Sequence, residues 1–121
     1  VRIVPAGTSS WDISQRALTV IVIESTVGFE ALLQKRPVVV LGFPPYRGWG
    51  ITHDVQNIQD LPQILDEAMQ SRLSEDELLD FLAAFYRIHY PGTWYSYPLD
   101  ANLMAQAVLN VFADWQQQGV W

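Results

Sequence analysis

The sequence predicts an α/β fold in which a Rossmann-like parallel sheet is flanked by helices. Two continuous β-branched runs, residues 19–23 and 37–41, have the length and composition of strands that are covered on both faces. Between them, residues 26–35 begin with a hydroxyl and a glycine and continue with helix-forming residues. Strands joined by a helix of this length run parallel through a right-handed crossover.

Shorter elements are predicted on both sides of this crossover. Residues 2–5 have the composition of a short strand, and Ser10 is suited to cap a helix that runs to about residue 17. Residues 42–53 contain two prolines and three glycines, which predicts a loop. Because this loop follows a strand, it should overhang the carboxyl edge of the sheet. Residues 55–58 are predicted as a brief edge strand.

The second half of the chain is predicted to be helical. Asp60 should cap a helix whose apolar residues recur at helical spacing. Ser74 and Glu77 form a capping box, which opens a further helix to about His89. We expect that helix to bury three apolar side chains, namely Leu78, Leu82 and Phe85.

The end of the chain carries an aromatic loop over residues 90–98 and a final helix capped by Asp100. At 121 residues, the chain is predicted to form one domain over 1–121 with a helical tail over 74–121. It begins with Val rather than Met and with a strand already under way. We therefore expect it to be the C-terminal part of a longer protein.

Composition and charge exclude several classes of function. The net charge is -6, with a single lysine, and the acidic residues are concentrated after residue 53. Non-specific nucleic-acid binding depends on neutralising phosphates, so no nucleic-acid partner is expected. The longest apolar runs are far shorter than the roughly 20 residues that span a bilayer. The chain has no cysteine, which excludes disulfides and thiolate metal sites.

The start of the crossover helix is the first candidate site. Ser25, Thr26 and the backbone N–H groups of Val27 and Gly28 lie where a strand ends and a helix begins. Such helix N-termini attract anions, since their first N–H groups lack partners and the helix dipole favours negative charge. Ser and Thr also serve there as simple caps. Gly28 favours the anion site, because glycine inside a helix is costly unless a ligand or a strand approaches closely.

Glu30 is the second candidate residue. It lies five residues after Ser25 and four after Thr26, so it does not fit the spacing of a capping box. Helical spacing places it on the same face as Thr26, one turn below the anion site. It could accept hydrogen bonds from ribose hydroxyls, or it could pair with Lys35 or Arg36. The sequence leaves both interpretations open.

Other chemistry-bearing residues are few. The two histidines, His53 and His89, have no partner at metal-ligand spacing, so no metal site is predicted. The glycine-rich loop lacks the Lys-Ser/Thr of a P-loop. Five aromatic side chains lie in predicted loops and either pack there or stack on a base or sugar, and these are Tyr46, Trp49, Trp94, Tyr95 and Tyr97.

The motif that runs from Ser25 to Gly42, followed by Tyr46 and the Gly-Ile-Thr step at residues 50–52, resembles a known family. It is similar to the C-terminal nucleotide-binding half of bacterial capsule polysaccharide biosynthesis proteins, the Kdo transferases of group 2-type capsules and their relatives. The similarity covers about residues 1–60. More broadly, it resembles glycosyltransferases built from two Rossmann-like domains, the GT-B fold.

This resemblance implies a CMP-Kdo donor as substrate, no cofactor, and a lipid or glycan acceptor at the inner face of the cytoplasmic membrane. The donor phosphate would lie at Ser25 and Thr26, with Glu30 toward the ribose or cytidine. Tyr46 and Thr52 would close over it from the glycine-rich loop. The family's catalytic residues lie upstream, in the missing N-terminal domain. The segment alone is therefore expected to be inactive.

Two alternatives belong to other classes. One is a non-catalytic GT-B-like binding or assembly module in polysaccharide export, and the other is a UDP-sugar epimerase-like domain. The chain also departs from the family pattern in two places. Lys35–Arg36 stands where the family usually has Gly-Lys, and residues 43–45, Phe-Pro-Pro, stiffen the loop before Tyr46. If the donor sugar differs from Kdo, these are the positions that should reflect it.

Overall fold

The computed structural model describes residues 2–88 and 101–119, and it is an α/β structure. In chain order its elements are α1 (Ser10–Ser14), β1 (Val20–Val22), α2 (Thr26–Leu33), β2 (Val38–Val40), β3 (His53–Asp54), a 3-10 turn (Ile58–Asp60), α3 (Leu61–Gln70), α4 (Glu75–Ile88) and α5 (Ala101–Gln117). The predicted crossover of strand, helix and strand is therefore confirmed.

The three strands form one parallel sheet in the order β1-β2-β3. Val20 of β1 pairs with Val38 of β2, and β3 lies on the other side of β2. The third strand was predicted at 55–58, but pairing begins earlier, at His53. The backbone N–H of Val55 still donates to a carbonyl of β2, so the ladder ends there.

The core is centred on β2, whose three valines have no solvent exposure. Val39 packs with Val55 and Ala68 in a cluster that the apolar side chains of α3 complete, among them Leu61, Ile64 and Leu65. Successive residues of a strand point to opposite faces, so Val38 and Val40 face the other side. There α2 contacts the sheet and buries Ala31 and Leu32. Helices therefore cover both faces of β2, which explains its continuous apolar sequence.

Two terminal predictions are corrected. Residues 2–5 form no strand, and Ile3 is 95% exposed, because no neighbouring strand in the described part of the chain offers them a ladder. The N-cap of α1 is Ser9 rather than the predicted Ser10, because the Ser9 hydroxyl accepts the Asp12 N–H, and α1 ends at Ser14 rather than near residue 17.

Of the predicted caps of α3 and α4, that of α4 agrees with the structure and that of α3 does not. The Ser74 N–H donates to Glu77 at 2.9 Å and the Glu77 N–H donates to the Ser74 hydroxyl at 3.2 Å, so the capping box is confirmed. Asp60 makes no cap hydrogen bond, since a 3-10 turn capped by Asn57 leads directly into α3. α4 buries Leu78 and Phe81, whereas the predicted Leu82 and Phe85 are half-buried.

The chain divides into two compact units, residues 1–82 and 83–121. The first contains the sheet and the candidate site. In the second, α5 buries Ala107, and the rings of Phe112 and Trp115 lie 6.0 Å apart. The predictions for His89, for the aromatic loop over 90–98 and for the Asp100 cap lie outside the described residues.

Candidate functional site

The N-terminus of α2 lies at the carboxyl edge of the sheet, directly after β1. Ser25 is its N-cap, with an extended backbone, and its hydroxyl oxygen accepts the Val27 N–H at 3.2 Å. The Gly28 N–H donates to the Ser25 carbonyl at 3.2 Å. The cap is therefore formed as predicted, and the helix dipole points its positive end toward solvent at this edge.

Two hydroxyl groups remain available at this turn. Thr26 is exposed, and its hydroxyl has no hydrogen-bond partner among residues 2–88 and 101–119. The Ser25 hydroxyl accepts from Val27 and keeps its own proton for donation. Two hydroxyl donors beside a helix N-terminus can hold an oxyanion such as a phosphate.

Tyr46 lies over this turn and fills the space beside Gly28. The phenol is 3% exposed, and its hydroxyl donates a hydrogen bond to the Ser25 carbonyl oxygen. A Cβ atom on Gly28 would lie 2.2 Å from the Tyr46 hydroxyl oxygen and 3.0 Å from a methyl of Val22. The sequence suggested that a ligand or a strand approaches Gly28, and the structure shows a side chain of the glycine-rich loop there.

Burial also sets the protonation of this group. Desolvation raises the pKa of the Tyr46 phenol above its ordinary value of 10.0. The hydroxyl is thus protonated at neutral pH, and its proton is committed to the carbonyl of Ser25.

A second close contact at a glycine of this edge was not predicted from the sequence. A Cβ atom on Gly42 would lie 2.6 Å from the backbone carbonyl oxygen of Ile23 and 3.0 Å from Cγ of Glu24. The start of the glycine-rich loop therefore lies directly against the turn that precedes Ser25. The available signal was a glycine placed immediately after a buried strand, a position that often marks close backbone approach.

Glu30 is directed toward α1. Its carboxylate accepts the Ser10 hydroxyl proton at 2.9 Å. Lys35 forms an ion pair with Glu75 at 2.7 Å, and Arg36 donates to the backbone carbonyl at the C-terminal cap of α1. The alternative in which Glu30 pairs with Lys35 or Arg36 is therefore wrong. A role for Glu30 beside a ribose stays a prediction.

Thr52 is not brought to the Ser25 turn. It precedes β3 and is level with Val38, at the amino edge of the sheet, whereas Ser25 follows β1 at the carboxyl edge. The end of β1 is level with Val40, two residues further along β2 than Val38. At a strand rise of about 3.3 Å per residue, these two residues alone place Thr52 about 7 Å from the level at which β1 ends. The Thr52 hydroxyl donates to Asp54 at 2.7 Å, and the same carboxylate accepts the Gly48 N–H at 2.8 Å.

The glycine-rich loop is held by its own side chains. Arg47 donates to the carbonyl oxygens of Gly42 and Val55, which lie at the two ends of the loop, and its guanidinium lies 4.6 Å from the Phe43 ring centroid. The Trp49 indole N–H donates to the Pro45 carbonyl at 3.1 Å. Contacts within the protein therefore fix both ends of the loop.

Aromatic packing connects this loop to the helices. The Phe29 ring lies 6.2 Å from that of Tyr46 and 6.1 Å from that of Phe81. The Trp49 and Phe81 rings are nearly perpendicular, with their centroids 5.6 Å apart. Of the two interpretations offered for the loop aromatics, packing accounts for Tyr46 and Trp49. Trp94, Tyr95 and Tyr97 lie outside the described residues.

A cavity of about 190 Å³ lies at the amino edge of the sheet. Its polar lining residues include Thr52, His53, Ser71, Arg72 and Glu77. The Ser71 hydroxyl donates to the Ala68 carbonyl at 2.9 Å, and its oxygen also lies within hydrogen-bond distance of His53 Nε2, at 2.9 Å. No sequence pattern indicated this pair.

The described residues offer neither a cluster of metal ligands nor a membrane-spanning helix. Residues 2–88 and 101–119 contain no group of three or more His, Asp or Glu side chains that could hold a metal ion. No helix within those residues is both long and apolar enough to cross a membrane.

The sequence profile of the capsule polysaccharide biosynthesis proteins matches residues 6–91, which contain the sheet, the Ser25 turn and the glycine-rich loop. The chain belongs to this family. A curated relative is the lipopolysaccharide-processing protein LpsZ of Rhizobium meliloti, which is 53% identical over 34 residues. That similarity spans 28% of this chain and 8% of LpsZ. No solved structure matches the chain. The family predicted from the motif between Ser25 and Gly42 is therefore confirmed.

Proposed function

We propose that this member of the capsule polysaccharide biosynthesis family is the C-terminal, donor-binding half of a GT-B glycosyltransferase. The observation that carries the proposal is the arrangement at the carboxyl edge, where the Thr26 hydroxyl is exposed beside the N-terminus of α2. Ligands of open α/β sheets bind at that edge. The donor is a nucleotide sugar, CMP-Kdo, and the protein transfers Kdo to a lipid or glycan acceptor.

The Ser25 turn would hold the donor through its phosphate. The hydroxyls of Ser25 and Thr26 donate to phosphate oxygens, and the positive end of the α2 dipole stabilises their charge. These interactions strengthen as the nucleotide leaves, because the phosphate gains charge when the bond to the sugar breaks. The groups that activate the acceptor belong to the N-terminal domain.

The acceptor and the location that we propose are those that the family resemblance implies. The relative LpsZ is named a lipopolysaccharide-processing protein, which supports an acceptor that carries both lipid and glycan. The reaction would take place at the inner face of the cytoplasmic membrane, with peripheral association of the protein.

The test is nucleotide binding by the full-length protein, measured by isothermal titration calorimetry with CMP, UDP and GDP. CMP should bind most tightly, and Thr26→Ala should weaken it about tenfold or more, since it removes a charge-assisted hydrogen bond. Gly28→Val should have a larger effect, because its side chain would displace Tyr46 from the turn.

The matched control is Ser74→Ala, which also removes a hydroxyl from a helix N-terminus but lies beside the opposite end of α2, where the neighbouring Glu75 pairs with Lys35. It should leave the affinity for CMP unchanged. A parent-like affinity in Thr26→Ala would show that the turn is only a helix cap. A preference for UDP would favour an epimerase, and tight CMP binding without sugar transfer by the full-length protein would favour a binding module.

A further inference from the structure

The Ser25 carbonyl makes two hydrogen bonds at once. It accepts the Gly28 N–H at 3.2 Å from within α2 and the Tyr46 hydroxyl from the glycine-rich loop. A carbonyl oxygen has two lone pairs, so both are used. The direction of this carbonyl is therefore set from two sides, one of them 21 residues away in the chain.

That direction decides where the next N–H group points. In a planar trans peptide, the C=O of one residue and the N–H of the next point in opposite directions. With the Ser25 carbonyl held toward Tyr46, the Thr26 N–H points away from Tyr46. If the peptide rotated, a carbonyl oxygen would replace an N–H donor beside the anion, and it would repel a phosphate.

The side chain of Tyr46 is held in place by close packing on several sides. Its ring lies against Gly28, where a Cβ atom would come within 2.8 Å of the ring carbon that bears the hydroxyl. The Phe29 ring lies at 6.2 Å, and the phenol is almost fully buried. Its single proton is used by the Ser25 carbonyl, so Tyr46 has no proton to donate to a phosphate.

We propose that Tyr46 is a positioning residue for the donor phosphate: it holds the Ser25 carbonyl so that the turn presents N–H and hydroxyl donors to the anion. This inference rests on the proposed function, and it assigns Tyr46 an action through Ser25 in place of direct contact with the donor. Gly28 is the partner that makes room for the phenol.

The experiment compares CMP with cytidine, which lacks the phosphate, on the full-length protein. Tyr46→Phe keeps the ring and removes only the hydroxyl. We expect its affinity for CMP to fall about fivefold or more while its affinity for cytidine stays at the parent value. The melting temperature, measured alongside, should stay within a few degrees of the parent value.

The matched control is Trp49→Phe, which removes another aromatic donor from the same loop, the one bound to Pro45. It should leave the ratio of CMP to cytidine affinity unchanged. Equal losses of CMP and cytidine binding in Tyr46→Phe, or no loss of either, would overturn the positioning role while the proposed function stands. If the parent protein binds no CMP, the proposed function itself fails, and the positioning role with it.

Discussion

The two edges of the sheet use glycine for different reasons. At the carboxyl edge, Cβ atoms on Gly28 and Gly42 would lie 2.2 Å and 2.6 Å from other protein atoms. Toward the amino edge, Gly50 has a φ of +78°, nothing lies within 4 Å of its Cβ position, and a cavity of about 190 Å³ adjoins it. Glycine therefore permits close approach at one edge and supplies only a backbone conformation at the other.

The two ends of α2 also differ in whether close packing or backbone conformation governs the residue. Its N-terminus requires Gly28, whereas its C-terminus tolerates Lys35 with a φ of +57°, a conformation usually taken by glycine. The Lys35 N–H donates to Leu32 and the Arg36 N–H to Ala31, which is the hydrogen-bond pattern of a Schellman motif. Lys35, which stands where the resemblance implies a glycine, therefore lies at the amino edge, away from the Ser25 turn.

The largest effect should come from filling the carboxyl edge. Gly42→Ala places a Cβ atom against a backbone oxygen that cannot rotate away, and we expect it to lower the free energy of unfolding by about 3 kcal/mol. The measurement is the midpoint of urea denaturation at unchanged m value. Gly50→Ala is the matched control and should cost only about 1 kcal/mol, through its positive φ. Equal losses of unfolding free energy in the two variants would contradict the proposed difference between the two edges.

A smaller and pH-dependent effect is expected at Tyr46. The raised pKa of its phenol means that the unfolded chain loses this proton at a lower pH than the folded protein. The contribution of the Tyr46 hydroxyl to the free energy of unfolding is therefore complete below about pH 10, and it is lost as the pH rises through the folded-state pKa of the phenol. Tyr46→Phe should cost about 1 kcal/mol at neutral pH, and this difference should shrink above pH 10.

The amino edge supplies the control for that pH dependence. Ser71→Ala also removes a partly buried hydroxyl that donates to a backbone carbonyl, with a cost of about 1 kcal/mol. Its cost should be constant between pH 8 and 11. The costs of Tyr46→Phe and Ser71→Ala are compared by thermal unfolding of both variants at several pH values in this range. A Tyr46→Phe cost that stays constant in the same range would contradict the assignment of the buried phenol.

The smallest effect, of opposite sign, is expected at Lys35. Lys35→Gly relieves a left-handed backbone but loses an exposed ion pair with Glu75 and adds entropy to the unfolded chain. We expect a net stabilisation of about 0.5 kcal/mol. Lys35→Ala removes the same ion pair without relieving the backbone, and it should stabilise nothing. If Lys35→Gly lowers the melting temperature, the backbone is not strained there.

Much of the fold was predictable because its signals are local. The β-branched runs, the Ser25 cap and the capping box of Ser74 and Glu77 each involve residues within a few positions of one another. The parallel pairing of β1 and β2 followed from the length of the crossover. The prediction failed where a local pattern had no neighbour, as in residues 2–5, which have the composition of a strand but lie exposed.

The sequence by itself determined the family, the crossover and the position of the α2 N-terminus, since hydrophobic period, caps and motif spacing act along the chain. Only the tertiary structure decided which groups meet at each edge. It placed Tyr46 on the Ser25 carbonyl, turned Glu30 to Ser10, and carried Thr52 to the opposite edge of the sheet. These contacts join residues about twenty positions apart or depend on strand direction. They are set by how the loop and helices pack on the sheet, which no short stretch of sequence encodes.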